Sequence, residues 1–374
     1  MPSATVANQS KLYLCVDAGG TAVKVTTINE RGQIGSAEGG PCNVKSVGAE
    51  GALREILKTT FKALQELPQP LLIPVDKVAP VDPELHLEIF ERVWLGIAGI
   101  LRKSEIDAFR PFAAKAFGFS AEDPRLRISN DGHLLAAPAL GEPRIESTVV
   151  LVAGTGSVSL AFKKQGTDLK MVGLSGGWGY LIGDEGSAFW VGKLAMRQLM
   201  LAADASQSQS LKGGSPTPLL PIFTALLERL GVSSPEEMID RIYSVQSEAG
   251  DSSSPSTFSA AETSRKLWIA DASRIVFDYA FTNSVDKDSR ELAISILQEA
   301  ISPLVQATIR LSKEFDPSTS LLALGGGLWG STGYSELLLE KLRENGLVFS
   351  KVSVVKTASA EGAKALLALD KVVL

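Results

Sequence analysis

Short apolar runs that stop at glycine turns dominate the first part of the chain. Residues 12–16 are continuously apolar, and residues 23–27 show a two-residue alternation after a turn at 17–21. Runs of this length and period are typical of β-strands. The pattern therefore predicts two strands joined by a glycine turn, followed by a third strand near 33–38.

The rest of the first half alternates between helical and strand patterns. Apolar residues repeat at helical spacing over 50–66 and the repeat stops before Pro68. The further elements predicted here are a strand at 92–98, a helix from about 104 to 117, a strand at 125–129 and a helix after Asp131. This alternation of strands and helices is typical of an α/β fold.

The opening pattern returns near residue 148. An apolar strand at 147–153 is followed by a glycine turn at 154–157 and by alternation over 158–162. Placing Gly20-Thr21 over Gly156-Ser157 aligns the two turns, each between two predicted strands. The repeat suggests that the chain contains two copies of one unit.

The second half is longer than the first and richer in loops. Residues 203–218 and 246–263 are rich in Ser, Gly and Pro, and we expect mobile surface loops there. The other predicted elements are a helix starting at 234–237, a long helix at about 288–313, a strand at 320–324, a glycine loop at 325–327, a helix at 335–345, a strand at 350–355 and a helix from Ser359. We expect two lobes, residues 1–145 and 146–374.

Composition narrows the class of protein. The 374 residues are 45% hydrophobic and 21% charged, a balance typical of folded globular proteins. The formal net charge of −5, without a dense basic run, argues against a nucleic-acid partner. Two cysteines are too few for a disulfide framework, and residues 1–10 do not resemble a signal peptide. No uninterrupted apolar run reaches membrane-spanning length, so we expect a cytoplasmic protein without a membrane partner.

Three glycine turns are candidates for a nucleotide site, because exposed backbone amides can bind phosphate oxygens. They are Asp17–Thr21, Gly154–Ser157 and the loop Gly325-Gly326-Gly327. A plain hairpin turn is the alternative for each one alone. The chain has no P-loop motif, but residues 325–330 match G-x-G-x-x-G, which leaves a dinucleotide site as a rival. No acidic residue ends the next strand to bind a ribose, so we favour an adenosine contact of an ATP site.

Two aspartates next to predicted turns are candidates for catalysis. Asp17 ends a strand beside a glycine turn, where a carboxylate can hold Mg²⁺ through water; a turn-capping role is the alternative. Asp131, in Ser129-Asn130-Asp131-Gly132, is either a helix cap or the general base that deprotonates an attacking hydroxyl.

Residues 175–187 combine closely spaced glycines, an aromatic side chain and an Asp-Glu pair. The carboxylate and backbone groups suit sugar hydroxyls, and Trp178 suits the apolar face of a sugar ring. The alternative is a structural loop whose acidic pair is simply solvated.

These residues resemble a known family. The segments at 17–21, 129–131, 154–157 and above all 176–190 (GGWGYLIGDEGSAFW) are similar to the N-acetylglucosamine kinases. That family belongs to the BadF/BadG/BcrA/BcrD ATPase group, which includes activators of 2-hydroxyacyl-CoA dehydratases and benzoyl-CoA reductases. The resemblance covers most of the chain in motif order.

The resemblance implies a duplicated actin-like ATPase fold of the ribonuclease H-like type, with ATP and an amino sugar meeting in a central cleft. It implies ATP-dependent formation of N-acetylglucosamine 6-phosphate with Mg²⁺, in a protein that is expected to form a homodimer. The implied catalytic residues are Asp131 and Asp17. The implied nucleotide contacts are Gly19, Gly20, Thr21, Gly154, Thr155, Gly156, Ser157, Gly325, Gly326 and Gly327. The implied sugar contacts are Asn43, Asp131, Gly177, Trp178, Gly179 and Asp184.

Other functions compete with a kinase. A reductive activator ATPase would need cysteines to hold an iron–sulfur cluster, and Cys15 and Cys42 lie in strand and loop positions that do not suit one. A sugar-binding regulator with little or no turnover would keep the same cleft. The presence of both Asp17 and Asp131 favours the enzyme.

Overall fold

The computed structural model describes residues 11–68, 87, 89–100, 102–243, 260–282 and 286–372, and its framework is two five-stranded sheets. The first sheet contains β1 (Leu12–Ala18), β2 (Val23–Asn29), β3 (Ile34–Gly39), β4 (Phe90–Ile97) and β5 (Leu126–Ser129). The second contains β6 (Ser147–Ala153), β7 (Ser157–Gln165), β8 (Asp168–Gly176), β9 (Ser320–Gly325) and β10 (Lys351–Val355).

The two sheets share one topology. Their strand orders are β3-β2-β1-β4-β5 and β8-β7-β6-β9-β10. In each, the first three strands form an antiparallel meander, and the two later strands add in parallel on the other side of the first strand. This correspondence confirms the duplication that the two glycine turns suggested. Each of those turns joins the first and second strand of its sheet, as predicted.

Eleven helices lie within the described residues. They are α1 (Val44–Gln65), α2 (Lys103–Phe117), α3 (Gly132–Leu135), α4 (Ala188–Leu211), α5 (Pro221–Leu230), α6 (Pro235–Tyr243), α7 (Ala260–Asp271), α8 (Ser273–Phe281), α9 (Lys287–Leu311), α10 (Thr332–Glu344) and α11 (Ala358–Val372). The helix predicted after Asp131 is confirmed but has only four residues, and a single 3₁₀ turn at Ala137–Ala139 follows it.

Successive side chains of the strands point to opposite faces of the sheets, and each face packs in a different core. In β1, Leu14 and Val16 pack in one core with side chains of α1 and α2, whereas Tyr13 and Cys15 face the other way. That second face joins side chains of α3, α11 and the second sheet in a core between the sheets. The far face of the second sheet packs against α4 to α10. Helices α3 and α11 therefore lie between the two sheets.

Helix α9 is long and apolar enough to span a membrane by composition alone. Its apolar side chains have another explanation, because Ile296, Leu297, Ile301 and Leu304 are buried in the core of the second sheet. Half of the helix's most apolar window is buried within the molecule. The hydrophobicity of α9 thus matches its role as a core helix.

The first predicted surface loop, 203–218, is partly wrong. Residues 203–211 continue α4, which ends just before Gly213 with its positive φ of 82°. The alanines in this stretch are strong helix formers, and Ser210 Oγ bonds back to the carbonyl of Ser206, 3.1 Å away, as helical serines do. Of the second predicted loop, 246–263, residues 246–259 lie outside the described residues, and residues 260–263 begin α7.

The C-terminal helix α11 returns to the first sheet. Asp370 on α11 accepts hydrogen bonds from Tyr13 Oη and Lys11 Nζ, both at 2.8 Å. Thr26 Oγ1 on β2 lies 2.9 Å from Ser359 Oγ at the start of α11. These hydroxyl and carboxylate contacts, together with apolar packing, hold α11 against β1 and β2.

Close packing of α11 on β1 generates a stability prediction. A Cβ at Gly362 would overlap Cys15 Sγ, because the helix backbone lies directly on the strand. We expect Gly362→Ala to lower the free energy of unfolding by about 1–3 kcal/mol, as overpacked cores do. Urea unfolding measures this, and Cys15→Ala in the same chain should restore most of the loss.

Gly51→Ala is the matched control for that substitution. Gly51 also lies inside a helix, but a Cβ there meets Val47 at an ordinary 3.4 Å. Alanine normally stabilises a helix relative to glycine by about 0.5–1 kcal/mol. Equal stability of the Gly362→Ala and Gly51→Ala proteins would contradict the close packing of α11 on β1.

Candidate active site

A cleft of about 1390 Å³ opens between the two sheets. One wall comes from β1, β4, β5 and α2, and the other from β6, β7 and β8. The polar and glycine residues along the sheet edges in this lining include Asp17, Ser129, Asn130, Asp131, Gly132, His133, Gly176 and Gly177. Three residues predicted from sequence, Asp17, Asp131 and Gly177, therefore line one cavity.

The parallel strands of the first sheet explain why the two aspartates meet. Strands β1, β4 and β5 end at the same edge, with Asp17 paired to Gly96 and Gly96 paired to Ser129. Asp131 follows two residues later. A Cβ at Gly96 would lie 3.3 Å from the Cα of Asp131 and 2.5 Å from Leu134 Cδ1. Glycine at position 96 therefore makes the room in which Asp131 lies.

The environment of the two carboxyl groups makes them stronger bases than exposed aspartates. Burial above all, together with the charge of Asp131, raises the pKa of Asp17 to about 6, against an opposing effect of Lys24. Burial also raises the pKa of Asp131, against a 3.0 Å hydrogen bond that its Oδ1 accepts from the amide of Gly132. Two acidic groups held together in a buried cleft favour the approach of a cation or a proton.

The residues around Asp17 fit a magnesium ion held mainly by water and substrate. No three His, Cys, Asp or Glu side chains cluster as metal ligands in the part of the chain that the structure describes. Mg²⁺ commonly uses only one or two carboxylates and completes its octahedron with waters and phosphate oxygens. Asp17, with its raised pKa at the cleft edge, meets that requirement.

The first glycine turn presents its backbone to solvent beside Asp17. Gly19 is required by packing, because a Cβ there would lie 2.9 Å from the carbonyl of Ala22. Gly20 has no such constraint: nothing lies within 4 Å of a Cβ at that position. Gly20 and Thr21 are both exposed. The open space over Gly20 suits a ligand that approaches the backbone.

The second and third glycine turns lie side by side. They follow β6 and β9, two parallel strands paired from Ser147 with Ser320 to Val152 with Gly325. Gly326 has a φ of 97°, and a Cβ there would lie 2.5 Å from the carbonyl of Ala153. Thr155 at the tip of the second turn is exposed. Because ligands bind beyond the carboxyl ends of parallel strands, this pair of turns is a suitable nucleotide site.

The residues of the loop after β8 lie in different environments. Gly177 lines the cleft, whereas the side chain of Trp178 is 62% exposed and is not part of the lining. Gly179 has a φ of 79° with nothing within 4 Å of a Cβ, so its glycine is required by backbone conformation alone. A contact of Trp178 or Gly179 with a sugar stays a prediction, and in this conformation neither lines the cavity.

Asp184 lies behind the second glycine turn instead of in the cleft lining. It is only 4% exposed. Its Oδ1 accepts a hydrogen bond from the amide of Ser157 at 3.1 Å, and its Oδ2 accepts one from Lys266 Nζ at 3.1 Å. In this conformation the carboxylate therefore contacts protein groups, and its predicted contact with a sugar stays a prediction.

Asn43 lies at the start of α1, next to the cleft. Its Oδ1 caps the helix by accepting from the amide of Lys45 at 2.9 Å. A Cβ at Gly99 would lie 2.5 Å from that same Oδ1, so Asn43 packs against Gly99, the neighbour of Ile100. Ile100 lines the cleft, and its carbonyl accepts from Asn130 Nδ2 at 3.1 Å. Asn43 is thus connected to the residue that precedes Asp131.

Sequence reasoning did not identify Gly96, Asn130 or Lys266 as site residues. Gly96 had a usable signal, because an isolated glycine inside an apolar strand often marks close backbone approach. Asn130 stood inside the motif with Asp131. Lys266 had no signal, since it comes from α7, far along the chain from the motifs.

Comparison with known proteins identifies relatives across nearly the whole chain. The profile of the BadF/BadG/BcrA/BcrD ATPase family matches residues 14–368. The N-acetyl-D-glucosamine kinase of Dictyostelium discoideum is 25% identical over 90% of this chain and 91% of its own. The N-acetylmuramic acid/N-acetylglucosamine kinase of Clostridium acetobutylicum is 23% identical over 62% of this chain and 64% of its own.

Solved structures confirm the fold. A proposed N-acetylglucosamine kinase from Chromobacterium violaceum superposes with a TM-score of 0.54 at 21% identity, covering 96% of this chain and 99% of the other. A second proposed N-acetylglucosamine kinase, from Porphyromonas gingivalis, gives 0.57 at 15% identity, covering 95% and 98%. With two sheets of the same order, this chain has the duplicated, two-lobed actin-like fold that its sequence predicted.

The raised pKa of Asp17 predicts a pH-dependent cost in stability. Its folded-state pKa of about 6 lies above the unfolded value of about 3.9, so stability is lost as pH rises through this window. We expect Asp17→Asn to be more stable than wild type by about 2–3 kcal/mol at pH 7.5 in Mg²⁺-free buffer, with the gain shrinking toward zero near pH 4. Urea unfolding at the two pH values measures it.

Asp123→Asn should behave in the opposite sense. Hydrogen bonds from Arg125 hold the pKa of Asp123 below its usual value, so its charge stabilises the folded state at neutral pH. Removing that charge should reduce stability at pH 7.5. A lower stability of Asp17→Asn than of wild type at pH 7.5 would contradict the raised pKa of Asp17 in the folded state.

Proposed function

This chain belongs to the BadF/BadG/BcrA/BcrD ATPase family, and from that premise we propose that it is a cytoplasmic, ATP-dependent sugar kinase that phosphorylates N-acetyl-D-glucosamine on its 6-hydroxyl. The observation that carries the proposal is the pairing of Asp17 and Asp131 in one cleft beside exposed glycine turns. The names of the relatives from Dictyostelium and Clostridium support the choice of amino sugar.

Asp131 is the proposed general base. Its Oδ1 accepts a hydrogen bond from the amide of Gly132, and its carboxylate is proposed to accept the proton of the sugar hydroxyl. The raised pKa of Asp131 strengthens it as a base. The hydroxyl oxygen then forms a bond to the γ-phosphorus of ATP as the bond to the β–γ bridging oxygen breaks, which releases ADP.

The nucleotide is proposed to bind across the glycine turns. The first and second turns, Gly19–Thr21 and Gly154–Ser157, would contact the phosphates through amides other than those of Gly19, Gly154 and Ser157, which donate to protein oxygens in this structure. The Gly325–Gly327 loop would contact the adenosine. Asp17 is proposed to hold the phosphate-bound Mg²⁺ through water. Magnesium would supply charge neutralisation at the transferring phosphoryl group.

The sugar is proposed to bind where the loops of both lobes meet. Asp131 and Gly177 already line the cleft. Asn43 caps α1 with its side-chain oxygen, and its side-chain amide nitrogen is proposed to contact the sugar. Trp178 and Gly179 are proposed to complete the site when the lobes 1–145 and 146–374 close on the sugar. Asp184 is not included, because its carboxylate is bonded to Ser157 and Lys266 within its own lobe. Closure would bring the exposed indole of Trp178 against the ring.

A panel of sugars with Mg-ATP tests the reaction class and the substrate together. We expect ADP release that depends on added sugar and is highest with N-acetylglucosamine among hexoses and N-acetylhexosamines. The assay couples ADP to a fluorescent or absorbance readout. Sugar-induced thermal stabilisation without any ADP release would contradict the kinase and favour a sugar-binding regulator with this fold.

The role of Asp131 as base gives a sharper prediction. Asp131→Asn keeps the size and the hydrogen bond to Gly132 but cannot accept the proton, so kcat should fall about 10²–10⁴-fold. The dissociation constant for N-acetylglucosamine, measured by calorimetry, should change little. An unaltered kcat would remove Asp131 from its role.

Asp204→Asn is the matched control, because Asp204 lies exposed on α4. It removes one carboxylate from the surface with the same substitution. Its kcat and sugar affinity should equal those of wild type. A loss in Asp204→Asn as large as in Asp131→Asn would point to a general effect of charge and not to catalysis.

A further inference from the structure

We propose that Lys266 is a positioning residue for the nucleotide: its ammonium neutralises the buried Asp184 carboxylate and holds it against the second glycine turn. The inference rests on the proposed function, because it assigns a role at the same ATP site. It adds a residue from α7, an element that no sequence motif connects with nucleotide binding.

The contacts form one chain from helix to turn. Lys266 Nζ donates to Asp184 Oδ2 at 3.1 Å, and Asp184 Oδ1 accepts from the amide of Ser157 at 3.1 Å. Lys266 Nζ also lies 5.6 Å from the ring centre of Tyr180, within range of a cation–π interaction. One ammonium group therefore contacts two parts of the loop that leads to α4.

Asp184 has an uncommon backbone conformation that its contacts hold. Its φ of 65° is the one positive φ outside glycine among the described residues. A left-handed conformation is unfavourable for residues with a side chain and persists where surrounding contacts fix it. The carbonyl of Asp184 accepts from the amide of Ser187 at 3.2 Å, and its carboxylate is fixed at both oxygens.

The Asp184 carboxylate packs directly on the glycine turn. A Cβ at Gly156 would lie 2.8 Å from Asp184 Oδ2 and 2.9 Å from Oδ1. The amide of Ala188, four residues beyond Asp184, donates to the carbonyl of Gly154 at 2.8 Å. Any displacement of this carboxylate would therefore move the backbone that is proposed to bind phosphate.

The negative charge of the Asp184 carboxylate must be neutralised by Lys266 before an anionic ligand can bind nearby. Asp184 is 4% exposed, so water screens its charge poorly, and an unpaired carboxylate under a phosphate site would repel ATP. The Lys266 side chain is itself only 25% exposed and forms the ion pair at 3.1 Å. The pair is neutral as a whole, so it adds no net negative charge beneath the turn.

Binding of Mg-ADP, measured by calorimetry without sugar, tests the proposal. We expect Lys266→Met to weaken Mg-ADP binding by about tenfold or more, because it leaves a buried charge unpaired beside the turn. Lys266→Arg keeps the charge and should stay close to wild type. Lys266→Gln provides the same comparison where Lys266→Met is too unstable to measure.

Two further variants separate positioning from general stability. Lys193→Met removes another lysine that packs over an aromatic ring, 4.6 Å from Trp190, and should bind Mg-ADP as wild type does. The double variant Asp184→Asn/Lys266→Met removes both charges, and it should recover most of the affinity lost in Lys266→Met.

The outcomes are distinct. Unchanged Mg-ADP affinity in Lys266→Met, with a loss only in melting temperature, would overturn the proposal and make the ion pair purely structural. An equal loss of affinity in Lys193→Met would overturn it as well. A wild-type protein that binds no Mg-ADP would instead contradict the proposed function, so the two failures can be told apart.

Discussion

The parallel register of β1, β4 and β5 is the constraint on which the candidate site depends. It aligns Asp17, Gly96 and Ser129 across one sheet edge and so fixes where Asp131 must lie. Backbone hydrogen bonds between the strands hold this arrangement, and the two carboxylates add nothing to the stability of the strand pairing. The fold thereby places two acidic groups in a buried cleft against their mutual repulsion, and the raised pKa of Asp17 is the consequence.

The second sheet repeats the strand order but carries different chemistry at the same edge. Asp17 is the last residue but one of β1, whereas β6 ends at Ala153 and its edge of the sheet bears two adjacent glycine turns instead of carboxylates. One copy of the unit thus presents acids and the other presents backbone amides. A cleft between them suits a reaction in which a hydroxyl loses a proton on one side and a phosphate is held on the other. Such differences between copies, and not the shared fold, determine function.

Much of this arrangement could be predicted from the sequence, because strands and glycine turns are local patterns. The hairpins around Asp17–Thr21 and Gly154–Ser157 and the duplication are examples. Two kinds of feature could not be predicted. The helical residues 203–211 have a loop-like composition, and the edge strand β8 shows little alternation because much of it is exposed. The contacts of Asp184 and Gly362 depend on Lys266 and Cys15, each distant along the chain, and no local pattern encodes such pairs.

The structure of the product is the most direct test of phosphoryl transfer to the sugar. Phosphorus–proton correlation NMR on a reaction of the protein with Mg-ATP and N-acetylglucosamine identifies which oxygen carries the phosphoryl group. We predict a stable phosphomonoester on the 6-oxygen, formed in equal amount with ADP. Inorganic phosphate as the phosphorus product, with the sugar unmodified, would contradict phosphoryl transfer to a sugar hydroxyl that Asp131 deprotonates. The protein would then be an ATPase and not a kinase.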